Sequence, residues 1–567
     1  MRKILTLILL TALILTTACG RRVDDKVLRV MLGSNVVSLD TSQAIDSASF
    51  EVINDCMEGL LQLDAAGKAI PAVAESYEVS PDGKKYTFHL RDAKWSNGDA
   101  VTADDFVFAW RRHCALANEY AFIMGKGVAC IKNAEEVMQG ADPSTLGVAA
   151  PNPKTFIVEL TAPVSYFPSL MAFPSFFPIN EKFYNSLEKD TYGMTPDTYL
   201  YNGAFVMTSY LPGSPNIQMK KNPSYWDAEH VTLEELHYQV VGSSDNALTA
   251  FRNNSLDLVN IDGNQVEYVR KDDKLSKDLK IAPRGSLTYI SFNEDPKNHH
   301  AGALTNANLR RAISNSVDRE SLVKNYVMNG AQATYSVVPR EFAPNAETGK
   351  FFSEDQDAYK NLIGFNPDKA KEYLAAAKSE LGKDNIDLLL TYSNDSGDMT
   401  VKIVQSIKSQ VEKNLQGVTI TLQPVTKAEY LSKTFNDDYD IAVVNWIADY
   451  NDPMGFLMLW TTENCEVAEH WSNAEYDRLI AECTTGTLAA NYSARWQALH
   501  DAEKIMLQEA VIAPLYTGAT SNLISADVSG IEFQPVGVPQ IFKHAVLNRS
   551  IVAGSIVTNP SSLFPLP

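Results

Sequence analysis

Residues 71–110 read PAVAESYEVSPDGKKYTFHLRDAKWSNGDAVTADDFVFAW, and two periodicities follow one another within them. In KKYTFHLRDAKW, Tyr86, Phe88 and Leu90 alternate with Thr87, His89 and Arg91, the period-two pattern of a strand with one buried face. SNGD then marks a turn. The spacing becomes helical in TADDFVFAWRRH, where Thr102 is placed to cap, Asp105 falls in the first turn, and Phe106 and Trp110 share a face. A strand, a turn and a helix in succession announce a mixed α/β chain. His89 and His113 in this stretch read as packing or hydrogen-bonding residues rather than metal ligands.

The rest of the chain extends the pattern. VLRVMLG, residues 27–33, predicts a first strand, and NDCMEGLL, residues 54–61, a short helix against it. KTFIVELTAPV places Phe156, Val158 and Leu160 on one side of a strand, and YFPSLMAFPSFFPI reads as an irregular apolar surface because proline interrupts it. A second globular section opens near Leu287 with the strand SLTYISFN, and the residues from Ala307 to Gly330 predict one long amphipathic helix. NPDKAKEYLAAAKSELG has Asn366 as cap, Pro367 at the first helical position and Gly382 as stop. The strands IDLLLTYSN, VTITLQPV and YDIAVVNW alternate with helices, which argues for a layered α/β sheet. SNAEYDRLIAEC carries a capping-box signal, Ser472 with Glu475. AVIAPLYTG and IFKHAVL are expected to return the chain to the first sheet.

Composition narrows the function. The chain has 567 residues, 45% of them hydrophobic, and a formal charge of -20 from 49 basic and 69 acidic residues. That balance disfavours nucleic acid and anionic membrane surfaces as partners. Arg2 and Lys3 precede the apolar run ILTLILLTALIL, and TTAC ends at Cys19; residues 1–18 therefore predict a lipoprotein-type signal peptide, with Cys19 lipidated. Of the other cysteines, Cys114 with Cys130 and Cys465 with Cys483 are candidate local disulfides in an oxidising compartment, which leaves Cys56 free.

Enzyme signatures are sparse: a Walker A loop, HExxH, GxSxG and GxGxxG are all missing. His299–His300 in an apparent loop reads as solvent-exposed. WIADYNDP, residues 446–453, joins an aromatic ring, a carboxylate and turn residues at the end of a strand, so Asp449 is a charge for a ligand, a catalytic acid or a turn residue.

The long stretch already quoted, together with SLD at 38–40, MEGLLQLD at 57–64, LGVAAPNPKTFIVELTAPVSYF at 146–167, NGAFVM, KNPSYWDA, LRRAISNSVDRESLV and YDIAVVNWIADYNDP, resembles the peptide-binding family of solute receptors that serve ABC importers. The resemblance runs from about Val27 to Leu547. It implies a two-lobed periplasmic-binding-protein-like α/β fold of type II, with an extra subdomain and an interlobe ligand cleft. The expected division is residues 19–59, 182–285 and 516–567 in the first lobe, 60–181 in its subdomain and 286–515 in the second lobe. It further implies a receptor without catalysis or cofactor, held at the cell envelope by Cys19, that delivers a short peptide to a membrane permease. Such a peptide is bound through its backbone as an added strand.

On this resemblance Asp449 binds the ligand's free amino terminus, Asn445, Trp446 and Ile447 line the path, Tyr120 faces the cleft, and Asp46 with Ser47 occupies an early ligand-contact loop. The chain also departs from the family's pattern. Two arginines that hold the ligand carboxylate in some relatives correspond to Thr434 and Val443, and an acidic loop residue corresponds to Ile45. A receptor of the same fold for an opine, sugar, metal chelate or haem is the alternative, with a secreted hydrolase more remote.

Overall fold

The computed structural model describes residues 26–549 except 66, 119, 298–301, 346–347, 355–356, 395–397, 437, 466–469 and 490. The leader with Cys19 and the pair His299–His300 lie outside the described residues.

An eleven-stranded mixed sheet runs through the molecule. At its centre two long antiparallel strands, Leu279–Phe292 and Ile512–Ile524, lie side by side. The first part of Leu279–Phe292 and the last part of Ile512–Ile524 belong with Leu258–Ile261, Val27–Leu32, Glu235–Val240, Asn216–Lys221 and Phe205–Ser209. On the other side Leu279–Phe292 pairs with Ile441–Ile447, which leads to Ile386–Ser393 and Val418–Val425. The chain thus passes twice between two α/β halves. Between Pro283 and Leu287 the register of the long pair shifts. Pro283 has no N–H for the ladder, Gly285 donates to Pro535 O (2.7 Å) and accepts from Ala448 N (2.9 Å), and a Cβ on Gly518 would stand 2.1 Å from Ser286 Oγ.

A four-stranded antiparallel sheet, ordered Ala74–Val79, Lys85–Leu90, Thr155–Glu159 and Val148–Asn152, forms the subdomain with the helix Ala103–Leu116. Tyr86, Phe88 and Leu90 are buried, as their alternation requires, and pack with Phe156, Phe106 and Trp110. Thr102 and Asp105 form a reciprocal capping box, and Asp105 also accepts from Trp95 Nε1 (3.1 Å). Burial pushes the Asp105 carboxyl up to about 6. His113 is buried within this core, and burial holds its imidazole down to about 4. The bidentate pair Arg112–Asp40 (2.7 and 2.6 Å) ties the helix to the SLD loop.

Several expectations change. The first helix is Ser47–Cys56 rather than residues 54–61, because Asp46 caps it and Met57 is already extended. The long helix predicted from Ala307 stops at Ser316. Asp318 then caps a new turn by accepting from Ser321 N, and a π-helical segment Val323–Val327 follows. The helix Ala474–Thr484 is capped by Asn473, one residue after the expected Ser472. Asn366, Pro367 and Gly382 take their expected places around Pro367–Leu381. The proline-rich stretch forms the short helix Phe167–Leu170 and a 3-10 turn Pro174–Phe176, and its aromatics are core rather than surface. Near the end, Gln540–Ile541 and Val546–Leu547 pair with Glu532–Phe533 and Val528–Ser529 in small ladders outside the large sheet.

The candidate disulfides do not form: Cys114, Cys130, Cys465 and Cys483 are free, buried thiols, as is Cys56. The second pair is turned to separate acceptors, Cys465 Sγ to Leu459 O (3.8 Å) and Cys483 Sγ to Arg495 O (3.7 Å). Cys114 sits on the buried face of its helix, and Cys130 lies in a loop at φ 53°. Burial raises the Cys114 thiol to about 12, which removes its thiolate character at neutral pH.

Candidate functional site

The strand Ile441–Ile447 holds its place through the apolar ladder to Leu279–Phe292, and its last residues pair Asn445 with Thr288 and Ile447 with Ser286. Thr288 Oγ1 donates to Asn445 Oδ1 (3.0 Å). Trp446 is half-buried and its indole N–H donates to Gly455 O (2.9 Å), whereas Asn445 and Ile447 are exposed. The chain then turns, and each side chain of the turn has a separate partner. Tyr450 stacks on Tyr166 of the subdomain at 4.1 Å. Asn451 accepts from Ala343 N (2.9 Å) and reaches Gly67 O (3.5 Å). Asp452 makes a bidentate pair with the buried Arg495 (2.9 and 2.7 Å) and accepts from Met454 N (2.9 Å).

Asp449 is thereby left pointing away from the turn's own bonding. Its Oδ1 accepts from Tyr120 Oη at 2.8 Å, across 329 positions of sequence. Loss of water raises the carboxyl above its ordinary value, and the Tyr120 hydrogen bond partly counters that rise. Burial, reinforced by the Asp449 charge, holds the Tyr120 phenol protonated, so it acts as donor. Tyr120 stands among aromatics: it stacks on Phe173 (5.7 Å), is tilted against Phe50 (5.3 Å) and touches the exposed Phe122 (5.4 Å).

Asp449 also lines a cavity of about 60 Å³, bounded by Met57–Gly59 and Leu61–Leu63, by Phe173 and Phe177, and by the returning segment from Gln534 to Lys543. Asp46 and Ser47 do not line this cavity: Asp46 Oδ1 accepts from Ser49 N (3.0 Å) and Oδ2 from Ser49 Oγ (2.5 Å), so the carboxylate caps the helix, with Ser47 exposed beside it. Thr434 returns its hydroxyl to Tyr430 O (3.0 Å), and Val443 O accepts from Tyr430 Oη (2.9 Å). Neither supplies a cation. No group of three or more metal-ligating side chains occurs among the described residues, and no described helix is long and apolar enough to cross a membrane.

The profile of bacterial extracellular solute-binding proteins, family 5 (middle), matches residues 68–466, most of the chain. The chain belongs to this family. This family 5 solute-binding protein is 33% identical to the oligopeptide-binding protein OppA of Bacillus subtilis, over 91% of its length and 93% of the relative's. Its fold matches the substrate-binding domain of an oligopeptide ABC transporter from Bacillus anthracis with TM-score 0.73 and 34% identity, covering 92% and 99% of the two chains. It also matches Listeria monocytogenes OppA bound to peptide, with TM-score 0.72 and 29% identity, covering 93% and 100%. The two-lobed α/β architecture with an extra subdomain is that of these relatives, and the family's members bind solutes rather than transform them.

Sequence reasoning singled out Asp449 and Tyr120, and the structure brings these two into contact. It missed the cavity. Glu58, inside the recognised MEGLLQLD stretch, meets Lys543 from the far end of the chain (3.3 Å), and only the fold brings residues 485 positions apart together.

Proposed function

We propose that this protein is the extracytoplasmic receptor of an ABC importer for short peptides, with Asp449 as the partner of the ligand's free ammonium group. One observation carries the reading: in a family 5 chain, a largely dehydrated carboxylate lines a cavity with a phenol on one oxygen. An unpaired carboxylate in such a place is costly, and a ligand ammonium would offset that cost with a charge-assisted hydrogen bond. The exposed strand end Asn445–Ile447 would pair with the ligand backbone, and Ser47 and Asp46 would border it.

On this reading Cys19 carries the lipid anchor, a membrane permease receives the closed, loaded receptor, and the lobes move about the two long central strands. The divisions at 285/286 and 515/516 fall on those strands, which supports them as the hinge. Calorimetry of ligand-stripped protein against mixed short peptides with free amino termini tests the reading. Micromolar or tighter binding is expected. Absence of binding by every such peptide, with binding of an opine, sugar, metal chelate or haem instead, would replace the ligand class and keep the fold.

A further inference from the structure

Tyr120 reaches Asp449 from a turn just beyond the helix Ala103–Leu116, which ends where Ala117 takes the left-handed conformation (φ 47°). Asn118 then bonds in two directions. Its Oδ1 accepts from Tyr120 N (3.0 Å), and its Nδ2 donates to Ser42 O (2.8 Å), 76 positions earlier in the chain. Its own carbonyl accepts from Ala121 N (3.0 Å). Ser42 is fixed in turn. Its N–H donates to Asp40 Oδ1 (3.0 Å), Gln43 Nε2 donates to Asp40 Oδ2 (2.8 Å), and Asp40 is held by the bidentate pair with Arg112. Asp40, Thr41 and Ser42 are all buried. A run of hydrogen bonds thus leads from the helix through Arg112, Asp40, Ser42 and Asn118 to the backbone of Tyr120, whose hydroxyl carries it on to Asp449.

We infer that Asn118 is a positioning residue for ligand binding: it pins the Tyr120 turn to the loop at 38–43 so that the phenol meets Asp449 and holds its carboxylate for the ligand ammonium. The inference rests on the proposed role of Asp449. The bond to Tyr120 N alone is ordinary turn chemistry, since asparagine commonly bonds to the backbone two residues on. The bond to Ser42 O serves no local turn and joins segments that only the fold brings together. Packing does not replace it. Phe173 stacked on Tyr120 and Phe50 tilted against it restrain the ring's plane, but apolar contact is non-directional and leaves the ring free to slide along its long axis. The hydroxyl stands 2.8 Å from Asp449 Oδ1. A slide of about 1 Å would carry it beyond hydrogen-bond reach. The loop that Asn118 grips also runs on to Asp46, which caps the helix bearing Phe50, so one side chain ties the hydroxyl and the wall behind it to a common frame.

The test is a double-mutant cycle, read by calorimetry of the ligand-stripped protein with tri-alanine and amino-acetylated tri-alanine. Asn118→Ala is expected to weaken tri-alanine about three- to tenfold, the worth of a hydrogen bond lost at the carboxylate, and the acetylated peptide less than about twofold. In a Tyr120→Phe background no hydroxyl remains to be positioned, and Asn118→Ala should then change tri-alanine affinity by less than about twofold. Asn118→Asp keeps an acceptor for Tyr120 N and loses the donor to Ser42 O, so it should weaken tri-alanine at least as much as Asn118→Ala. Thermal melts establish that each variant is folded; should Asn118→Ala fail to fold, Asn118→Asp takes its place in the cycle. The positioning role is overturned, and the peptide-receptor reading stands, if Asn118→Asp binds tri-alanine like the parent protein. Effects that multiply in the cycle, or equal weakening of the two peptides, would overturn it in the same way. If the parent protein binds no free-amino peptide, tri-alanine included, both readings fall.

Discussion

Asp449 owes its character to opposing pressures on one carboxyl group. Dehydration favours the protonated form, and the Tyr120 hydroxyl favours the charged one. A ligand ammonium would tip the balance toward charge, so binding must release a proton wherever the free carboxyl is partly protonated. The peptide's own amino group stays charged below its ordinary pKa near 8. Affinity for a free-amino peptide is therefore expected to be flat near neutrality. It should fall on acidification, and the fall should begin above the usual aspartate range because the free carboxyl is raised. Asp449→Asn should weaken such peptides about ten- to a hundredfold, the worth of a charged hydrogen bond, and flatten the acid limb. Amino-acetylated peptides should respond much less. Calorimetry across pH on both proteins checks this, and equal weakening of free and acetylated peptides would remove Asp449 from the amino-terminal role.

At the scale of elements, the turn after the strand Ile441–Ile447 is a frame that leaves one residue for function. Asp452 and Arg495 are both buried and bidentate, so Asp452→Ala strands a buried guanidinium and is expected to cost about 3–5 kcal/mol, measured by denaturant unfolding. Asp449→Asn should cost far less, because its loss falls on the ligand. The helix Ser47–Cys56 makes a different prediction. Burial raises Glu51 to about 7 and Asp55 to about 8, above their unfolded values, so their contribution to stability is complete below about pH 4 and is lost as pH rises toward 8. Asp55→Asn stays neutral at every pH, and thermal melts should show it gaining on the parent protein between pH 5 and pH 8.5. A constant difference across that range would contradict the assignment.

The same elements mark what a sequence can disclose. Tyr86, Phe88 and Leu90 declared their strand because alternation answers directly to a one-sided core, and Asn366, Pro367 and Gly382 declared a helix because capping is local chemistry. The break at Val317 was hidden within a continuous amphipathic pattern, although Asp318 and Ser321 have the spacing of a cap. Tyr120 and Asp449 were named separately through resemblance. Their contact, and the closed network of Glu58, Tyr225, Trp226 and Lys543, depends on long-range closure that no local pattern encodes.

At the scale of the whole molecule, the proposed receptor function requires the central sheet to be continuous and yet allow movement. Leu279–Phe292 and Ile512–Ile524 suit both demands, because their ladder shifts register between Pro283 and Leu287 and again between Thr288 and Tyr289, and within the first shift Gly285 bonds to Pro535 and Ala448 instead. Bending there disturbs few ladder bonds, whereas bending elsewhere would break regular pairing. Contacts between the subdomain side and the turn after Ile447 include Tyr120 to Asp449, Tyr166 on Tyr450 and Asn451 to Gly67. A ligand that bridges the same surfaces adds to the closed form's stability by its differential affinity for it. Small-angle scattering of stripped protein should therefore show a smaller radius of gyration when a free-amino tripeptide is added. The amino-acetylated tripeptide at equal concentration should produce little change, and Asp449→Asn should need about ten- to a hundredfold more free-amino peptide to reach the same compaction. A radius that stays constant at saturation, with binding confirmed by calorimetry, would mean the lobes do not move on loading and would remove the hinge role from the two central strands.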